Sequence, residues 1–353
     1  LDAKELRAEI SDRSKSFVWI KRKLDPRQAE AVRKLDLKGI HFVTESKRYY
    51  PMKELAAQVL GFVGTENHGL AGLEQYYDAT VAGKPGRRTV LRDARRGTVQ
   101  APALSFNDPE PGRDLHLTLD AAIQHIVERE LERAIVERGA KQGSAVILDP
   151  RTGGILALAT YPTFDPNEHG NYPPVRWKNR AVADVFEPGS TFKMVTAAAA
   201  LSSGLISAND VYDCEMGGIW LSGKFIGDHK KFGYLTFAQA IANSSNVAMV
   251  KASLLLGDER LHGMTTALGF GEKTQIDLPG ESRGINRPLE FWRSFPRHKA
   301  YVAFGQSIAV TPIQLATAVA TIANDGVRLQ PYVVSGIGRN GAIEQRRDGA
   351  KVV

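Results

Sequence analysis

Between residues 120 and 138, apolar side chains recur at intervals of three and four. Ile123, Ile126, Val127, Leu131, Ala134 and Ile135 fall on one stripe. That period predicts an amphipathic helix. Asp120 stands where an N-cap accepts the first free amides, and Gly139 where a helix stops. Two uncharged runs follow, Ser144–Leu148 and Ile155–Ala159, joined by Asp149-Pro-Arg-Thr-Gly-Gly154. Short apolar runs on either side of a Pro/Gly turn predict an antiparallel hairpin. Ahead of the helix, Leu115, Leu117 and Leu119 alternate as in a half-buried strand. A long helix beside a hairpin implies an α+β fold, an antiparallel sheet covered by helices.

Residues 162–189 read as loop, and helical patterns dominate from 190 to 325. The longest uncharged stretch, Met194 to Asn209, is alanine-rich and broken by Ser202, Ser203 and Gly204, so it predicts a core helix. It falls short of the ~18 apolar residues that a membrane span needs. Upstream, Leu55, Val59, Leu60 and Val63 predict a helix over Met52–Val63, starting after Pro51. Gly69, Gly72, Gly83, Pro85 and Gly86 then cut the chain into short pieces. The segment Asn107-Asp-Pro-Glu-Pro-Gly-Arg113 disfavours helix and serves as a linker. It divides the chain into a smaller N-terminal domain, 1–112, and a larger one, 113–353. A length of 353 residues supports that division.

Charge sharpens the picture. The net charge is +7, and residues 1–100 carry 20 Lys/Arg against 13 Asp/Glu, so the whole excess lies there. Such a bias suits an anionic surface, lipid headgroups or an acidic wall polymer, or else a solvated face without a partner. No zinc-ligand spacing or RNA-binding signature points to nucleic acid. Cys214 is the only cysteine, which excludes an internal disulfide and a thiolate metal site. It reads as a small buried residue. The eight histidines show no ligand clustering. The first residue is Leu1, within helix-like sequence, and we expect a preceding piece.

Pro188-Gly189-Ser190-Thr191-Phe192-Lys193 places a serine at the head of the predicted core helix. Lys193 returns to the same face three residues on. A serine hydroxyl needs an adjacent base, and a lysine serves if burial keeps it neutral. The helix terminus adds a free amide for an oxyanion. Alone this motif is weak, since Ser190 also reads as a plain N-cap and Lys193 as a solvated lysine. In Asn243-Ser244-Ser245-Asn246, a tight turn brings Ser244 and Asn246 toward one cleft. The hydroxyl there suits proton relay, and the amide suits a substrate carbonyl or the lysine. Ser105-Phe-Asn107 and Ser207-Ala-Asn209 share the spacing, but lie in the linker and in turn-like sequence.

These segments together resemble the class B penicillin-binding proteins, D,D-transpeptidases of cell division and elongation. Phe186-Glu-Pro-Gly-Ser-Thr-Phe-Lys193 is similar to the family's nucleophile segment, and Asn243-Ser-Ser-Asn-Val247 to its second motif. The hairpin with Tyr161-Pro-Thr-Phe-Asp-Pro-Asn167, and Phe304-Gly-Gln-Ser-Ile-Ala-Val-Thr-Pro-Ile-Gln-Leu315, are also family-like. Gly61–Tyr77 and Arg87–Gly97 resemble its membrane-proximal pedestal. The resemblance implies a serine β-lactamase/transpeptidase-like catalytic domain on a dimerisation-like pedestal. It implies acylation of Ser190 by D-alanyl-D-alanine stem peptides, Lys193 as base, and Ser244 and Asn246 shaping the cleft and relay. It implies β-lactams as covalent ligands, and a membrane glycosyltransferase with division or elongation proteins as partners. It calls for no cofactor or metal. The implied location is the inner membrane, through an N-terminal anchor, with catalysis on the periplasmic side.

The family's third motif, Lys-Thr/Ser-Gly, is not found. Lys273-Thr274-Gln275 lacks the glycine and Arg151-Thr-Gly153 the lysine. The chain stops at Val353, soon after Pro331-Tyr332-Val333-Val334, where relatives still have the strands carrying it. Losing one oxyanion donor costs on the order of 10²–10³ in rate, so we expect the 353-residue chain alone to be a poor enzyme. Rival readings are a D,D-carboxypeptidase or β-lactamase using the same serine, and a non-catalytic penicillin sensor or division scaffold.

Overall fold

The strand expected around Leu115 forms over Asp114–Leu117 (β1), followed by a helix over Ala121–Glu137 (α1). Asp120 accepts from the amides of Ala122 and Ile123, as an N-cap should. These coordinates are a computed structural model, which describes residues 2–12, 14–89, 105–295 and 297–352. Residues 90–97 of the pedestal-like segment Arg87–Gly97 lie outside them.

The stripe on α1 differs from the sequence expectation. Ile126 is 49% exposed and Ala134 is also exposed, while Gln124 is the buried residue. Its side chain takes the place of a strand. The amide of Leu158 donates to Gln124 Oε1 at 2.8 Å, and Gln124 Nε2 donates to the Leu158 carbonyl at 2.9 Å. Leu158 belongs to Ile155–Tyr161 (β3), which pairs antiparallel with Gly143–Leu148 (β2) in the predicted hairpin. The outer edge of β3 also receives Asp120 N on Leu156 O at 3.0 Å and Thr118 Oγ1 on Ile155 O at 2.7 Å. Residues 118–124 thus cover an edge that would otherwise be open.

The core helix forms over Lys193–Ser202 (α2). Beyond it the chain is less helical than its pattern suggests. Val211–Asp213 pairs with Tyr234–Thr236, and Gly218–Leu221 (β4) pairs with Lys224–Gly227 (β5). Strands of three or four residues with flanking glycines are too short to show a period of two. Asn246–Ala267 (α3) follows, interrupted at Gly257, where φ is +77°. Ala199 and Ala200 of α2 and Val247, Ala248 and Ala252 of α3 belong to one buried cluster with Phe192 and Trp292. Their small side chains let the two helices approach closely. Pro312–Ala323 (α4) begins with a capping box between Thr311 and Gln314. Val334–Arg339 (β6) then pairs with β1 on one side and with Ala342–Arg346 (β7) on the other.

The N-terminal part departs most from expectation. Within Met52–Val63 only Ala57–Leu60 is helical, and Lys53 and Ala56 have φ of +50° and +54°. Tertiary contacts outweigh the local pattern. Ala56 N donates to Glu128 on α1 at 2.8 Å, and Gln58 Nε2 reaches the carbonyls of Pro162 and Arg176 at 3.2 and 3.1 Å. Phe62 packs edge-on against Phe164 and stacks on His169. Further on, Tyr77 donates to the fully buried Asp277 at 3.0 Å, and Asp277 also accepts the amides of Val333 and Val334. Residues 50–77 therefore share core with residues 155–182, 276–278 and 333–334. The helices Ala3–Ser11 and Pro26–Arg33, by contrast, bury nothing.

Candidate active site

Ser190 sits in a single 3₁₀ turn, Gly189–Phe192, which runs directly into α2. The turn is clamped from the far end of the chain. Gly189 N donates to Gly305 O at 2.9 Å, and Phe186 and Val310 exchange both backbone hydrogen bonds at 3.0 and 2.9 Å. A Cβ on Gly305 would lie 2.0 Å from the Gly189 carbonyl oxygen, and its φ is +80°, so glycine is required twice over. Ser307 N donates to Glu187 at 2.8 Å, and Thr196 Oγ1 donates to Ala303 O at 2.9 Å. The Phe304–Leu315 segment is thus the frame of the Ser190 turn. Phe192, fully buried, anchors the turn from below.

Two environments result within four residues. Ser190 is exposed, whereas Lys193 is 3% exposed. Residues i and i+3 eclipse in a 3₁₀ turn, so hydroxyl and amine project from one side. Lys193 Nζ donates to Ser244 O at 2.5 Å and to Ser244 Oγ at 2.9 Å. Ser244 presents both oxygens because its backbone is left-handed, with φ of +55°. Burial pulls the Lys193 amine down to about 8, and the nearby Asp228 carboxylate pulls the other way. An amine at that level is substantially neutral at mildly alkaline pH and able to take a proton.

The structure brings Lys193 and Ser244 into contact. No hydrogen bond joins Ser190 Oγ to either of them among the described residues. The Ser190 amide likewise has no acceptor among the described residues and remains available to an oxyanion. Asn246 lies on the same turn as Ser244, but no hydrogen bond joins it to the lysine among the described residues. Its Nδ2 donates to Gly227 O, at the end of β5, at 2.7 Å. Position explains the difference: Asn246 is the first residue of α3, and its side-chain amide is engaged by the hairpin.

Asp228 is the residue that sequence reasoning missed. Its carboxylate accepts from Ser245 Oγ at 2.7 Å, from Val247 N at 3.1 Å and from Asn246 N. It thereby satisfies free amides at the start of α3 and holds the Ser244 turn against the hairpin. The only trace in the sequence is a lone acid within Lys224-Phe-Ile-Gly-Asp-His-Lys-Lys231. Cys214 is fully buried with Sγ 3.6 Å from Ser245 Oγ, and burial pushes its thiol up, which suits packing and not nucleophilic attack. Among the described residues, neither look-alike of the third motif hydrogen-bonds to this site. Thr274 bonds to Glu281, and Thr152 to Asp149 in the β2–β3 turn.

With this geometry in hand, comparison with known proteins is specific. Residues 143–353 match the family described as penicillin binding protein transpeptidase domain, and residues 2–117 match penicillin-binding protein dimerisation domain. Stage V sporulation protein D of Bacillus subtilis is 38% identical over 318 residues, 88% of this chain and 48% of the relative. Peptidoglycan D,D-transpeptidase FtsI of Escherichia coli is 35% identical over 324 residues, 92% of this chain and 54% of the relative. Among solved structures, apo penicillin binding protein 3 from Mycobacterium tuberculosis superposes with a TM-score of 0.75 at 33% identity, covering 86% of this chain and 65% of that one. A peptidoglycan synthetase from Bifidobacterium adolescentis gives 0.79 at 28% identity, covering 99% and 64%. The chain spans about half the length of the curated relatives it matches.

Proposed function

We propose, for a chain that belongs to the class B penicillin-binding proteins, that it acts as a serine acyltransferase on peptidoglycan stem peptides. Ser190 Oγ attacks the carbonyl carbon between the two terminal D-alanines, the C–N bond breaks, and the last D-alanine leaves. An amine of a neighbouring stem then attacks the ester and releases Ser190. The observation that carries this reading is the buried Lys193 amine, lowered to about 8 and bonded to Ser244, one turn from the exposed Ser190 hydroxyl.

Lys193 takes the hydroxyl proton, and Ser244 passes a proton to the leaving amine. The Ser190 amide donates to the developing oxyanion. Asn246 shapes the cleft by fixing the Ser244 turn to β5. A β-lactam would follow the same first step, its ring nitrogen taking the place of the leaving amine and staying attached. We place the boundary between pedestal and catalytic domain at residues 112–113. We place catalysis on the extracytoplasmic side of the cytoplasmic membrane, where the polymer lies, with a glycosyltransferase and division or elongation proteins as partners. None of the described helices is long and apolar enough to cross a membrane.

Intact-mass measurement and peptide mapping after long incubation with a penicillin test this reading. The expected product is one adduct on Ser190, slow to hydrolyse and absent from Ser190→Ala. A folded chain with no adduct, or with the adduct on another residue, would overturn it.

A further inference from the structure

The β4–β5 hairpin carries a feature that acyl transfer at Ser190 does not use. Its inner face is apolar: Ile226 is buried with Val250, Ala300 and Phe304, and Ile219 and Leu221 pack alongside. Its outer face holds a cross-strand pair of aromatic rings, Trp220 opposite Phe225, with centroids 5.5 Å apart. These rings are 71% and 58% exposed. The Phe225 ring is set by neighbouring glycines, since a Cβ on Gly218 would lie 2.3 Å from it and one on Gly227 3.2 Å. The hairpin tip is tied down as well, because Arg297 donates to Ser222 O at 3.1 Å. A pair of large apolar rings thus faces solvent on a fixed support.

Its surroundings are cationic. Lys224, Lys230 and Lys231 are exposed, and no carboxylate lies within salt-bridge distance of them among the described residues. The one acid in that stretch, Asp228, is engaged at the start of α3. The platform is also joined to the site, since Gly227 O receives Asn246 and the next residue supports the Ser244 turn.

We infer that this hairpin binds the glycan strand bearing the stem peptide that Ser190 is proposed to acylate. The inference rests on the proposed transpeptidase reading for its choice of polymer. The π-face of Trp220 or Phe225 attracts the C–H edges of a sugar ring, and the three lysines attract the carboxylates of the stems. A lipid surface would also accept aromatic and basic residues. A platform bonded directly to the catalytic turn favours the polymer undergoing reaction.

Co-sedimentation of the whole chain with purified sacculi tests this, with anionic phospholipid vesicles as a second arm. Trp220→Ala with Phe225→Ala is expected to weaken sacculus binding about tenfold, the scale of a lost aromatic anchor, and Trp220→Phe to preserve most of it. Lys230→Glu with Lys231→Glu should lower binding at low salt and have little effect at high salt. Melting temperature and penicillin adduct formation at Ser190 should stay as in the parent. Unchanged sacculus binding in the aromatic variant overturns the inference, as does loss confined to vesicles. A parent chain that forms no adduct, yet loses sacculus binding on Trp220→Ala, sinks the catalytic proposal and leaves the glycan surface standing.

Discussion

The turn around Ser190 and the first 48 residues are stabilised in opposite ways. The turn is bound by backbone hydrogen bonds to Gly305 and Val310 and rests on fully buried Phe192. The N-terminal stretch instead relies on side-chain ion pairs, Arg22 with Glu45 and Glu66 and Lys47 with Asp25, and its two helices bury nothing. Burial and backbone pairing fix positions to fractions of an ångström, whereas ion pairs at or near the surface are screened and cost side-chain entropy to form. The hydroxyl proposed to react has the first kind of support.

The largest expected contrast is chemical. Lys193→Ala should slow penicillin acylation by about 10²–10⁴, the range for a lost general base, measured by stopped-flow with a fluorescent penicillin. An equal rate in parent and variant would move the base elsewhere. Next, Phe192→Ala should cost about 3–5 kcal/mol of stability in urea unfolding, because a buried ring leaves a cavity under the turn. Gly305→Ala should cost about 1–3 kcal/mol from backbone strain, more if the clash with Gly189 O is not relieved, and should depress acylation with it.

A subtler effect concerns pH. As the proposed base, Lys193 can take a proton only when neutral, so acylation should rise as pH increases through about 8 and level off above it. The Asp228 charge holds that amine up, so Asp228→Asn should move the midpoint to lower pH while keeping an acceptor for the α3 amides. A midpoint that stays put would remove Asp228 from the electrostatics of the site. The smallest effect belongs to the other region. Arg22→Ala should shift the melting temperature by less than ~2 °C, since pairs that are only partly buried and screened by solvent contribute little. A large drop there would mean that the N-terminal stretch is more rigid than its exposure implies.

How much of this was readable in the sequence depended on whether a residue's role is local. Helix α1 and the β2–β3 hairpin were legible because each has a long period and its own caps or turn. Ser190, Lys193, Ser244 and Asn246 were legible as motifs, although the pairing of Lys193 with Ser244, and not with Ser190 itself, was not. The burial of Gln124 was not legible because it depends on the open edge of β3, which no spacing in α1 reveals. The helix expected over Met52–Val63 dissolved because Glu128 and the Pro162–Arg176 loop claim its polar groups. Asp228 stayed hidden for the same reason, since its value comes from the α3 amides and not from its sequence neighbours.

The clamp of Gly189 and Phe186 by Gly305 and Val310 also orders events during synthesis. A ribosome translates at about 5–20 residues per second, and long-range contacts form only when both partners have emerged. A nascent chain that ends before Gly305 already holds Ser190, Lys193, Ser244 and Asn246, yet the turn carrying the hydroxyl lacks its frame. The clamp on the Ser190 turn therefore closes late in translation, after all four of these side chains have been made.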